Sequence, residues 1–156
     1  MKHAFVVGVA MVAIFGISLS AVDGNKAMYM GGTVSAVKDK AEGLLDTKNE
    51  TAVRFDAKKD GALDIPYTAI TGLEYGQKAG RRVAVAVMIS PLALFSKKRN
   101  HYLTISFADA AGKEQAAVFE LGKDIVRTTL TILETRSGKE IEFQDEDAKK
   151  AGKGGR

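Results

Sequence analysis

Few side chains in this sequence could carry out a reaction. There is no cysteine, which removes thiol nucleophiles, thiolate metal ligands, disulfides and lipid attachment through an N-terminal cysteine. Two histidines occur, His3 and His101. A Ser-His-Asp site in the body of the chain would need His101, and no nucleophile elbow accompanies it. His101 therefore reads as a surface or strand-end histidine, and the chain as a non-enzyme. The run Asp56-Ala57-Lys58-Lys59-Asp60-Gly61-Ala62-Leu63-Asp64 spaces its carboxylates like a calcium loop. Its third position is Lys58, and its twelfth is Tyr67 where such a loop needs a bidentate glutamate. It reads as a hairpin. Asp145-Glu146-Asp147 reads as solvated charge, and no glycine-rich phosphate loop is present. No metal and no cofactor are expected. Asn49-Glu50-Thr51 fits a glycosylation acceptor, which matters only in a secreted eukaryotic protein.

The most informative stretch is Arg81 to Arg99, RRVAVAVMISPLALFSKKR. Its thirteen central residues, Val83 to Phe95, hold no charge and only Ser90 as a polar side chain. As one helix they would rise ~20 Å, against a hydrocarbon core of ~30 Å. A full membrane span is not expected. Three readings remain. The stretch could be buried, because Val83-Ala84-Val85-Ala86-Val87 alternates large and small like a strand and Pro91 then breaks it. It could insert shallowly into a bilayer, with Val87, Ile89, Leu92, Leu94 and Phe95 in the acyl boundary. Arg81, Arg82, Lys97, Lys98 and Arg99 would then lie on anionic headgroups, each contributing ~1 kcal/mol. It could instead be an exposed patch for a protein partner or for self-association. Contact with a membrane surface or a partner through these ten residues is the expected function. A structural protein with the stretch buried is the alternative.

The chain begins Met1-Lys2-His3, followed by an uncharged apolar run from Ala4 to Leu19. Ser18 and Ser20 supply small residues at the −3 and −1 positions before Ala21. That is the layout of a secretory signal peptide over residues 1–20. A buried core helix and an uncleaved anchor are the alternatives. The sixteen-residue run is short of the ~20 residues a spanning helix needs. Export to a bacterial periplasm or cell envelope follows. Length and an apolar content of 46% allow one domain with a core. A net charge of +4, mixed with 19 acidic residues, argues against nucleic acid as a partner.

The rest of the chain must supply the scaffold, over residues 21–143. Met28 to Val37 is a strand candidate in which Gly31-Gly32 predicts a bulge or sharp bend. Gly43 to Asp46 and Ala52 to Asp56 are short strands around a polar turn. Lys59-Asp60-Gly61 predicts a hairpin, because Asp-Gly accepts positive φ. Leu63 to Pro66 follows, with Pro66 at a strand end or edge. Ile70 to Tyr75 is next. In Tyr102 to Ala108, Leu103, Ile105 and Phe107 alternate with Tyr102, Thr104 and Ser106, the pattern of a half-buried strand. Ala117, Phe119 and Leu121 alternate in another. Ile125, Val126, Thr129, Leu130, Ile132 and Leu133 then recur at threes and fours, an amphipathic helix. Asp124 suits its start, Arg136 its last turn and Gly138 its stop. Glu140 to Phe143 can continue extended. Residues 144–156 hold charge and glycine without a large apolar side chain, and are expected to be disordered. Short antiparallel strands and one long helix predict a mainly β fold, a small barrel or two-sheet domain with the helix closing one open end.

Ile65-Pro66-Tyr67-Thr68-Ala69-Ile70-Thr71-Gly72-Leu73-Glu74-Tyr75 resembles a segment of the bacterial PH-like families, the pleckstrin-homology and GRAM-type superfold. Leu103-Thr104-Ile105 and the helix after Lys123-Asp124 match the order of that superfold. The resemblance covers Met28 to Gly138. The chain also resembles exported bacterial proteins of unknown role that share the basic-flanked apolar insert. The resemblance implies about seven antiparallel strands capped by one C-terminal helix. It also implies binding of lipids, peptides or proteins rather than catalysis. PH domains that bind phosphoinositides use basic residues near the first two strands. Here Lys38, Lys40 and Lys48 are interspersed with Asp39, Glu42 and Asp46, so that site is not assigned. The signal reading predicts that N-terminal sequencing of exported protein starts at or near Ala21. A retained Met1 in the membrane fraction would establish an anchor instead.

Overall fold

A computed structural model describes residues 25–77 and 100–154. The predicted signal and the apolar 81–99 stretch lie outside the described residues. The fold is mainly β, one eight-stranded sheet in the order β4-β3-β2-β1-β7-β6-β5-β8. Its strands are β1 (Lys26–Gly32), β2 (Ala41–Asp46), β3 (Ala52–Ala57), β4 (Gly61–Pro66), β5 (Ile70–Gly76), β6 (His101–Ala108), β7 (Glu114–Leu121) and β8 (Ile141–Phe143). Two helices follow the sheet's main run, α1 (Val126–Ser137) and α2 (Glu146–Lys153), the first entered through a 3₁₀ turn at Lys123–Ile125.

Local chemistry accounts for most of these elements. The Asp60-Gly61 signal is realised as the β3–β4 turn, with Gly61 at φ 90°. The register of β1 on β7 shifts between Tyr29 and Gly31, and Gly31 sits at φ 137°. The bulge thus falls at the glycine pair. Pro66 ends β4, an edge strand, where a missing amide hydrogen is least costly. Gly138 stops α1 in the left-handed conformation at φ 68° and donates its N–H to the Glu134 carbonyl.

The sheet curls around its core. Rings of Tyr29, Phe55 and Phe119, from β1, β3 and β7, meet with centroids 5.2 to 6.4 Å apart. Phe55 and Phe119 lie three strand steps apart, about 14 Å across a flat sheet. Their contact requires the sheet to close toward itself. Val126, Thr129, Leu130 and Leu133 of α1 are buried at spacings of three, one and three, and the three apolar ones join this core. Arg136 ties the far end of the helix down. Its Nη1 donates to the carbonyls of Thr47 and Asn49 at 2.5 and 2.6 Å, and its guanidinium lies 5.5 Å from the centre of the Tyr67 ring.

Four expectations change. The first strand ends at Gly32, and Thr33 to Lys40 form a loop that still buries Val37. Among the described residues there are eight strands rather than about seven, and β8 runs parallel to β5. β6 is not half-buried, since Tyr102 and Thr104 are buried beside Leu103 and Ile105. It is an interior strand, and Thr104 is flanked in register by Glu74 and Val118. Met30, Tyr102 and Val118 form a second cluster with Met28 packed against it. Lastly, the charged tail expected to be disordered contains α2, so α1 is not the only helix. Asp145 caps α2 by accepting from the Ala148 N–H at 2.7 Å. Small residues make its docking face: Ala148 is buried, and a Cβ on buried Gly152 would stand 2.7 Å from Phe143 and 3.0 Å from Leu130.

Leu133→Ala is expected to destabilise the fold by ~2–5 kcal/mol, the range for a buried leucine truncation. Gly152→Val is expected to release α2 while the sheet stays folded, seen as lost amide protection confined to residues 146–153. An unchanged denaturation midpoint for Leu133→Ala would mean that α1 is not docked.

Candidate functional site

The carboxylates of the calcium-like run are held by cations. Arg54 donates Nε to Asp56 at 2.9 Å and Nη1 to Asp64 at 2.7 Å. Asp60 pairs with Lys38 at 3.2 Å. Among the described residues no group of histidine and carboxylate side chains could hold a metal ion. Asp145, first of the tail carboxylates, is spent on capping α2. Near the first two strands, Lys38 is ion-paired as above, and Lys58 pairs with Glu42 at 2.9 Å.

Arg81, Arg82, Val87, Ile89, Leu92, Leu94, Phe95, Lys97, Lys98 and Arg99 lie outside the described residues, while the strands that they join lie within them. β5 and β6 are antiparallel neighbours, with Gly76 opposite Tyr102, and β6 has β7 on its other side. The stretch therefore links two adjacent strands, leaving after Gln77 and returning before Asn100. No helix among the described residues is long and apolar enough to cross a membrane.

His101 stands at the point of return. Its ring stacks on Tyr75 at 6.1 Å with a 17° tilt, and its Nδ1 lies 2.5 Å from the Tyr75 hydroxyl. Burial pushes the Tyr75 phenol up to about 12. The phenol keeps its proton, and which of the two groups donates is set by the imidazole tautomer. Burial and, after it, the Lys123 charge pull the His101 pKa below the ordinary imidazole value; Glu120 opposes them. Asn100 Nδ2 donates to the Tyr102 hydroxyl at 3.2 Å.

Beside His101 opens a cleft of about 610 Å³, lined by Gln77, Lys123, Asp124, Val126, Arg127 and Ala151. The sequence reading missed Lys123 and Arg127 as site residues. Their one signal was a spacing of four at the start of a predicted helix, which puts two side chains on one face. Nothing local linked them to His101. This arrangement offers an anion-attracting cleft beside an imidazole, with no nucleophile aimed at it among the described residues. Comparison of the sequence with protein-family models and with curated proteins finds no match.

The His101 environment has a pH consequence. Its folded pKa lies below the unfolded value of about 6.5, so the unfolded chain binds the proton first as pH falls. The contribution of neutral His101 to stability is therefore present above that value. It is lost progressively as pH drops through the folded pKa. His101→Asn should flatten the decline in melting temperature between about pH 7.5 and 5.5. An equal decline in both proteins would assign it to other groups.

Proposed function

We propose that this protein is an exported, non-enzymatic binding module of the bacterial envelope, with a pleckstrin-homology-like fold, that contacts the membrane surface through its 83–95 stretch. One observation carries the reading. The most apolar segment after the first twenty residues is the connection between two strands already paired with each other. A sheet whose strands pair in unbroken order does not call on that connection to fill a place between β5 and β6. An apolar connection closed by cations on both sides suits the boundary between headgroups and acyl chains. Two consecutive antiparallel runs, β1 to β4 and β5 to β7, followed by a helix packed on the core, support the PH-like reading. The positively charged start, apolar run and small residues of positions 1–20 support export.

Mature protein beginning at Ala21 should co-sediment with anionic vesicles at low salt and release as salt rises, because added ions screen surface attraction. Replacing Arg81, Arg82, Lys97, Lys98 and Arg99 with glutamine should weaken that binding with little change in stability, since exposed charges are individually worth little. Leu94→Ser with Phe95→Ser separates the readings. Loss of vesicle binding at an unchanged melting temperature fits insertion. A lowered melting temperature in protein that ignores vesicles would sink the membrane reading and leave the stretch internal.

A further inference from the structure

We propose that the cleft between the start of α1 and the end of α2 is a phosphate site, which takes the headgroup of an anionic phospholipid when the protein is on a bilayer. This rests on the membrane reading above and adds a second point of contact to it. Lys123 and Arg127 line the cleft four residues apart, and both are exposed. Among the described residues neither is in an ion pair, so both charges are available to an anion in the cleft. The Arg127 guanidinium lies against Gly154, where a Cβ would stand 2.7 Å from its Cζ, so the glycine leaves room for it. The first turn of α1 has no side-chain cap, and its amide groups add positive potential at the same end. The volume, about 610 Å³, is within the range of small-molecule sites. Among the described residues Asp124 is the one carboxylate in the lining, so cations outnumber it there before His101 is counted.

The position of the cleft selects a lipid phosphate as the source. Gln77, the last described residue before the apolar stretch, lines it, and so does His101, which follows Asn100 where the stretch returns. A segment that enters a bilayer from these two points brings the cleft to headgroup level.

The test measures full-length protein on phosphatidylglycerol and on phosphatidylcholine vesicles and takes the ratio of the two affinities. Insertion of apolar segments contributes to both and cancels. Lys123→Gln with Arg127→Gln should lower the ratio roughly 30-fold, the effect of two headgroup-level cations. Lys58→Gln with Lys59→Gln, an equal loss of charge at the β3–β4 turn, should leave it unchanged. Equal falls in both variants would overturn the proposal in favour of net charge. A second readout is the His101 imidazole by NMR, titrated with sn-glycerol 1-phosphate. Facing it are Tyr75 from β5, Glu120 from β7 and Lys123, with Asp124 and Arg127 on the cleft wall. A bound phosphate should raise its titration midpoint in wild type and not in Lys123→Gln with Arg127→Gln. If the wild type ignores vesicles yet shows this rise, the phosphate site stands with a soluble ligand and the membrane reading falls. If vesicles bind and neither the ratio nor His101 responds, the membrane reading stands and the site is overturned.

Discussion

A curled sheet whose end strands do not pair must cover the apolar face it curls around. Tyr29, Phe55, Phe119, Leu103 and Ile105 all point into that hollow and are almost fully buried. α1 supplies Val126, Leu130 and Leu133 to the same core. Its two ends are fixed by different means. At its start the chain comes directly from β7, and the Gly122 N–H bonds to the Lys26 carbonyl at 3.0 Å. At its end Arg136 spans to the β2–β3 loop through two carbonyls and the face of Tyr67. Because both ends are held, side chains on the first turn of the helix stand at fixed places on the end of the sheet. The cleft beside His101 is a consequence of that closure.

Elements governed by local backbone chemistry were legible in the sequence. The Asp60-Gly61 turn, the bulge at Gly31, the edge position of Pro66 and the glycine stop of α1 each follow from one residue's conformational demands. The apolar stripe of α1 was equally direct, and the strands were legible to within a few residues. What was not legible depended on partners far away in sequence. Tyr102 and Thr104 alternate as outward residues should, yet both are buried, Tyr102 in a cluster with Met30 and Val118. β8 is three residues long and is ordered by pairing with β5. α2 has no large apolar residue to mark it. Its buried face is alanine and glycine, which work because the opposing surface of Phe143, Leu130 and Tyr75 comes close enough to need them.

The candidate site was legible in the same uneven way. The apolar stretch and its cations stand out by composition alone. His101 could be weighed only by itself, since its stacking partner is Tyr75 and its electrostatic neighbour is Lys123, each more than twenty residues away. Lys123 and Arg127 looked like ordinary solvated helix-start residues. The run of carboxylates from Asp56 to Asp64 shows the reverse error that spacing alone invites. Asp56 meets Arg54 along its own strand, Asp64 meets it across the hairpin and Asp60 meets Lys38 from the adjoining loop, so the charges are already satisfied within the fold.

The placement of single charges matters more than their total. At the β1–β2 and β3–β4 end, Lys38 pairs with Asp60 and Lys58 with Glu42. Such exposed pairs add little stability, but they neutralise the field locally. At the other end Lys123 and Arg127 have no such partner among the described residues. A net charge of +4 would hardly orient a molecule if it were evenly spread. Two cations beside one cleft favour one approach to an anionic surface, over a range set by a screening length of ~8–10 Å. The same end carries both attachments of the apolar stretch. A single shallow apolar anchor gives marginal, reversible attachment, and firm attachment takes a second signal. In the proposed reading the two signals come from segments far apart in sequence. They meet at one end of the sheet because β5 and β6 are neighbours, and because β7 delivers α1 to the edge of the same opening.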